Sequence, residues 1–266
     1  MKEIKKIKFF VNDDEKSQVI ANTLIKDLSE KEFLIVYDNT YDLGISIGGD
    51  GSFLKMIRSD NFNSDAYYIG VNAGTLGFLQ EIDFNDTRNF VERLASGDYK
   101  EEEINTLETT IYSHDEKIRY QSLNEVVIRK LDLSVLKNKV YVDNELLENF
   151  VGDGLLVSTS TGSTAYNMSF GGSIIYNTLK AFILTPIAPI NNKAYNTLTN
   201  SIIVPNEKSI VLEFNNEEVL LMVDGRNKRV SNVDKIEVKI SKNNIKCLRM
   251  NDFHFIKVVN KKIIEK

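Results

Sequence analysis

The residues with the clearest chemical potential lie in one short run, Gly48-Gly49-Asp50-Gly51-Ser52, directly after an apolar stretch from Leu43 to Ile47. A buried strand, a tight glycine turn and a helix start in that order present free backbone N–H groups at the carboxyl end of a sheet strand, where phosphates and nucleotides settle. The run is not a Walker A loop, because no Gly-Lys-Ser/Thr follows, and it is not the full dinucleotide fingerprint, because Leu54 stands where a third glycine belongs. Asp50 is the informative residue, since a carboxylate inside a turn suited to anions opposes the charge the turn attracts. In phosphoryl transfer to a hydroxyl, such a carboxylate orients the acceptor oxygen and takes its proton. The alternative is an Asx turn or N-cap, in which Asp50 only accepts from backbone N–H groups.

Other residues suit a sugar or a base. Asn124 and Glu125 pair an amide with an acceptor-only carboxylate, a set that fits ribose hydroxyls or an adenine edge; an exposed strand pair is the alternative. Thr161 to Tyr166 supplies hydroxyls and backbone donors ahead of a short helix, with Tyr166 able to stack on a base and Ser163 or Thr164 equally able to serve as an N-cap. Asp153 sits between Gly152 and Gly154, where a bare turn is also a fair reading. Of 14 glycines, seven fall between Gly44 and Gly77 and five between Gly152 and Gly172, which suggests two loop systems around one bound molecule, or two sets of ordinary turns. Neither His114 nor His254 is accompanied by a nucleophile motif, which disfavours a hydrolase triad.

These residues need elements to position them. Up to Gly97 the pattern alternates. Ile4 to Val11, Phe33 to Tyr37, Leu43 to Ile47 and Tyr67 to Val71 read as strands, while Asp13 to Glu30, Ser52 to Arg58 and Asn85 to Ala95 read as helices, the last stopped by Gly97. Such alternation predicts an α/β domain with a parallel sheet, assigned to residues 1–99. From residue 100 to residue 251 the pattern is β-rich: Ile104 to Ser113, Ile118 to Arg129, Lys137 to Val142, Leu155 to Ser158, Ser201 to Val204, Ile210 to Phe214 and Val219 to Val223. Turns are expected at His114 to Lys117, Asp143-Asn144 and Asp224-Gly225, and one helix at Ser163 to Ser169. The tail, 252–266, is expected to pack back on the first domain.

Composition excludes several classes. With 42% apolar residues the chain builds a sizeable core, and 33 basic against 38 acidic residues give a net charge of −5, which disfavours nucleic acid and anionic membranes as partners. One cysteine and two histidines exclude a disulfide framework and a structural zinc cluster. No signal-peptide core is visible at the N-terminus, and the run from Ala181 to Ile190 is short and broken by prolines, so a cytoplasmic location is expected.

Taken in order, the motifs resemble one family. Gly48 to Ser52 resembles the GGDG(S/T) element of NAD kinases, which diacylglycerol and sphingosine kinases and 6-phosphofructokinases share. Asn72-Ala73-Gly74-Thr75-Leu76-Gly77-Phe78-Leu79, Leu123-Asn124-Glu125, Gly152-Asp153-Gly154-Leu155, Thr161 to Asn167 and Gly171-Gly172 resemble further NAD kinase blocks in the family's order. The resemblance implies an ATP- or polyphosphate-dependent kinase that phosphorylates the 2'-hydroxyl of the NAD adenosine ribose, giving NADP. It implies an α/β N-terminal domain, a β-rich C-terminal domain and a homo-oligomer, dimer or tetramer, whose NAD site a neighbouring subunit completes. Asp50 would be the base, Gly49 and Gly51 would line the phosphate path, and Phe78 would pack on the adenine side. Asn124, Glu125, Thr164, Ala165 and Tyr166, with Thr161 and Ser163 of the same stretch, would hold the adenosine. Asp153 and Ala188 would lie by the nicotinamide half, and Asp224 near the site. Mg²⁺ would come with the nucleotide, because no carboxylate cage is visible and no residue is assigned to a metal. Two positions depart from the family: Ser160 replaces a usual proline, which loosens its loop, and Val151 stands where relatives often carry arginine, which removes a phosphate or subunit contact. Two rival readings differ in chemistry. A lipid or sugar-phosphate kinase has no use for Thr161 to Tyr166, and a dinucleotide sensor has no use for Asp50.

Overall fold

Two sheets divide the chain in the computed structural model, which describes residues 3–74, 77–114, 116–132, 134–250 and 253–265. One unit spans Met1–Ile104 with Asn243–Lys266, and the other spans Asn105–Lys242. Thr75 and Leu76 of the glycine-rich second motif, and Asp115 of the first expected hairpin turn, lie outside the described residues.

In the first unit the strand Leu43–Gly48 runs parallel between Lys6–Val11 and Tyr67–Asn72, with Ile45 in register with both Phe9 and Ile69. All six of its residues are buried, as expected of a parallel strand covered on both faces. The helix Glu15–Glu30 starts where Asp14 accepts from Ser17 N at 2.9 Å, and it buries Ile20, Leu24 and Leu28, the face read from the sequence. The helix Thr87–Ser96 stops at Gly97, whose φ of +75° is the left-handed cap expected there.

The sheet is mixed and reaches further along the chain than the sequence pattern indicated. Tyr99–Ile104 pairs antiparallel with Ile245–Met250, which itself pairs parallel with the start of Tyr67–Asn72. Both strands lie in the first unit by their contacts, whereas the sequence pattern placed them in the β-rich region. Tyr99–Ile104 is a polar edge strand, so its run of glutamates looked like the start of a new region. Arg249 secures the return: its Nη1 meets Glu81 Oε2 at 3.0 Å and its Nε meets Glu102, all three side chains being largely buried.

The second unit is a ten-stranded sheet paired antiparallel throughout. Gly154–Thr159 lies between Glu125–Lys130 and Ala181–Ile187, and Ser209–Val223 lies between Glu125–Lys130 and Arg226–Ile240. The expected strands Ile210 to Phe214 and Val219 to Val223 form one bent strand, irregular between Glu213 and Val219. Its first half pairs with Leu136–Val142 and its second with Glu125–Lys130, so the bend lets one strand serve two partners. Conversely, the expected strand Ile118 to Arg129 is two, Glu116–Ser122 and Glu125–Lys130, interrupted at Leu123-Asn124. Ala181–Ile187 is a fully buried strand despite its proline, since Pro186 lies beyond Leu184, the last residue paired to Ile202–Pro205. Asp143 and Asn144 turn with φ of +52° and +68°, and Asp224 and Gly225 with +44° and +76°, as the hairpin signals required.

Candidate active site

Asp50 opens the helix Asp50–Ser59, one residue beyond the Gly49 N-cap. Its carboxylate does not cap its own helix. Phe78 N donates to Oδ2 at 2.8 Å and Leu79 N donates to Oδ1 at 2.9 Å, so the acid is held by a loop 28 and 29 residues away. Two glycines are forced by this arrangement. A Cβ on Gly77 would stand 1.8 Å from Asp50 Oδ1, and a Cβ on Gly48, whose φ is +147°, would stand 2.3 Å from Ser52 Oγ. Added Cβ atoms on Gly49 and Gly51 would meet nothing within 4 Å, so these two leave open backbone beside the acid, in keeping with a path for a ligand.

Supporting contacts fix the loop. Gln80 Nε2 donates to Gly49 O at 2.7 Å, and Asn72 closes its own turn by donating to Gly74 O at 2.8 Å and accepting from Gly74 N at 3.0 Å. Gly70 makes room for Gln80, whose Oε1 would lie 2.2 Å from a Cβ there. Gln80 carried no signal in the sequence, because only the fold brings it to the glycine turn.

The second unit assembles most of its expected residues at one end of Gly154–Thr159. Asp224 Oδ2 accepts from Leu123 N at 2.8 Å, and Oδ1 accepts from Asn124 N at 2.8 Å and Glu125 N at 3.2 Å. This buried carboxylate thus interrupts the strand and fixes the Asn124-Glu125 backbone. Gly162 packs so closely there that a Cβ would lie 2.1 Å from Asn124 O. Among the described residues Asn124 Oδ1 and Glu125 Oε2 are buried without hydrogen-bond partners, an unusual pair of unsatisfied acceptors on successive residues. Burial above all, with the Asp224 charge beside it, pushes the Glu125 carboxyl up to about 8, against the opposing Tyr166 N–H.

The expected hydroxyls divide. Ser163 is wholly buried and structural, donating to Ser160 O at 2.6 Å and accepting from Ile175 N at 3.0 Å. Thr164 donates to Thr161 O at 3.2 Å, while Thr161, Ala165 and Tyr166 are only half-buried. Tyr166 packs edge-on to Phe170, with ring centroids 4.8 Å apart, over Val127, Leu156 and Ile187. Ser160, the proline departure, is held by the Ser163 hydroxyl, so its loop is closed by a side chain instead of a ring.

Asp153 and Ala188 meet at the other end of the same strand, where Asp153 N donates to Ile187 O at 3.0 Å. Both are exposed, and Ala188 has a φ of +43°. Since Ser158 pairs with Glu125, five residues along, the two groups are about 17 Å apart along the strand. That separation suits the two nucleoside halves of one extended ligand. Among the described residues no three His, Cys, Asp or Glu side chains cluster to hold a metal ion, and no helix is long and apolar enough to cross a membrane.

Comparison with known proteins also divides the chain in two, at bounds close to those read from the sequence. Residues 2–99 match the ATP-NAD kinase N-terminal domain and residues 123–250 the ATP-NAD kinase C-terminal domain. An NAD kinase of Finegoldia magna is 36% identical over 265 residues, covering 96% of this chain and 97% of its own. One from Lactobacillus helveticus is 35% identical, covering 92% and 90%. Among solved structures, yeast NADH kinase complexed with NADH matches with a TM-score of 0.83 over 98% of this chain and 88% of its own, at 20% identity. An NAD kinase from Archaeoglobus fulgidus in complex with ATP matches with a TM-score of 0.74 over 93% and 94%, also at 20% identity. These two likenesses speak for the fold.

Proposed function

Since the chain belongs to the NAD kinase family and phosphorylates NAD, we propose that Asp50 is the base that activates the 2'-hydroxyl of the adenosine ribose and that ATP is the phosphoryl donor. The single observation carrying this reading is the Asp50 carboxylate gripped by the Phe78 and Leu79 amides beside open glycine backbone. A carboxylate has about four lone-pair sites, so two backbone donors leave capacity to accept from a ribose hydroxyl while fixing the direction of approach. In the step, the hydroxyl oxygen bonds to the terminal phosphorus as the bond to the leaving phosphate oxygen breaks, and the hydroxyl proton passes to Asp50.

In the second unit Asn124 and Glu125 take the adenosine, with Tyr166 against the base; Asp153 and Ala188 take the nicotinamide half. The unsatisfied Asn124 Oδ1 and Glu125 Oε2 support this, because a ligand hydroxyl or amino group would satisfy them. Asp224 and Ser163 act by positioning, since their oxygens are engaged by the protein's own N–H groups. Mg²⁺ would come with the donor's phosphates, whose charge it neutralises. The ATP complex of the Archaeoglobus fulgidus relative favours ATP as donor. Incubating the protein with NAD and either ATP or polyphosphate, and assaying the product with an NADP-specific dehydrogenase, tests the reading. NADP from ATP is expected; a phosphorylated product that such a dehydrogenase does not accept would overturn the 2'-position.

A further inference from the structure

The tail brings an unexpected cation to this centre. After the helix Phe255–Val259, residues Asn260–Ile264 form a π-helical turn closed by Glu265 N donating to Asn260 O at 3.0 Å. Such wide turns are rare and recur at functional sites. This one carries Lys262, whose Nζ lies 4.2 Å from the Phe78 ring centroid. Phe78 is the residue whose amide holds Asp50 Oδ2, and the Asp50 charge acts on the lysine. The Nζ is shut away from solvent and makes no hydrogen bond among the described residues.

Stability does not explain this placement. A buried ammonium with three unused donors is unfavourable, and the attraction of an aromatic face recovers about 2 kcal/mol at best. Neutralising Asp50 is not its task either, because both Asp50 oxygens are already bound by amides and no ion pair joins the two side chains. What the ammonium lacks is an anion with several acceptor oxygens.

We propose that Lys262 binds a phosphate oxygen of the nucleotide substrates and meets the charge on the group being transferred. It thereby brings a positive charge to the loop that holds Asp50. The lysine gives up no proton in the step; its N–H groups donate to non-bridging oxygens of the phosphoryl group. Burial lowers its pKa to about 8, with the Asp50 charge opposing, so a bound polyanion would also hold it charged.

The inference rests on the reading of the Asp50 turn as the transfer centre, and the probe is inorganic tripolyphosphate titrated calorimetrically into the full chain without NAD, so that no turnover is involved. Lys262→Met keeps a chain that covers Phe78 and is expected to weaken tripolyphosphate at least tenfold, whereas Lys262→Arg stays within about threefold. Should Lys262→Met fail to fold, methylammonium restoring turnover to Lys262→Ala replaces it as the supporting result. Equal tripolyphosphate affinity in wild type and Lys262→Met, or no binding by wild type, would overturn the proposal. An active Asp50→Asn variant would overturn the base and leave the lysine standing.

Discussion

Glu125 has a consequence of its own at neutral pH. Its carboxyl stands at about 8 in the folded chain against an ordinary 4.5, because burial and the neighbouring Asp224 disfavour its charge. Between these values the folded state holds a proton that the unfolded state releases, so stability from this residue is full below 4.5 and is lost as pH rises through about 8. Thermal unfolding of wild type should therefore fall between pH 5 and pH 8.5 more steeply than that of Glu125→Gln, whose amide does not titrate. Parallel curves for the two proteins would show that Glu125 is already ionised at pH 5. At this scale the sequence was informative where chemistry and sterics coincide. Gly48, Gly77 and Gly162 stand out as glycines because a Cβ would strike Ser52, Asp50 or Asn124. Gln80 and Lys262 carried no such mark, since a glutamine in a loop and one lysine among 33 basic residues acquire meaning only from distant partners.

Among the elements, the returning strand Ile245–Met250 depends on one ionic cluster. Arg249 lies between Glu81 and Glu102 with little solvent around any of them, and Met250 N donates to Glu81 Oε1 at 2.9 Å. Replacing Arg249 by Met leaves two carboxylates without a counter-charge, and breaking a buried pair in this way costs about 3–5 kcal/mol. Denaturant unfolding should show a loss of that size, with most of it recovered when Glu81→Gln and Glu102→Gln accompany Arg249→Met; a loss below about 1 kcal/mol would mean water already reaches the cluster. Two polar strands, one in each unit, were hard to read. Tyr99–Ile104 is polar because it lies at an edge, and Arg226–Ile240 mixes charges with Val230, Val233, Ile236 and Val238, so neither reads as cleanly as the wholly buried strand Leu43–Gly48. The helix Glu15–Glu30 and the turn Asp224-Gly225 were legible because a cap and a positive φ are local demands.

At the scale of the whole molecule, a chain of net charge −5 has to bind two anionic nucleotides. Long-range attraction therefore contributes little, and recognition has to rest on local groups. The expected homo-oligomer remains a proposal, supported by Leu146 and Leu147, which stand exposed on Glu145–Gly152; a light-scattering mass of 30.3 kDa would contradict it. The change from alternating strands and helices to a β-rich pattern after Gly97 gave away the two-part architecture, whereas the pairing of residues 99–104 with 245–250 joins segments far apart in sequence. If the amide-held Asp50 carboxylate takes the proton of the ribose hydroxyl, Asp50→Asn preloaded with NAD and then mixed with ATP should form NADP in a single turnover at least about a hundredfold more slowly than wild type, with NAD affinity nearly unchanged. Transfer at the wild-type rate would show that no proton passes to Asp50.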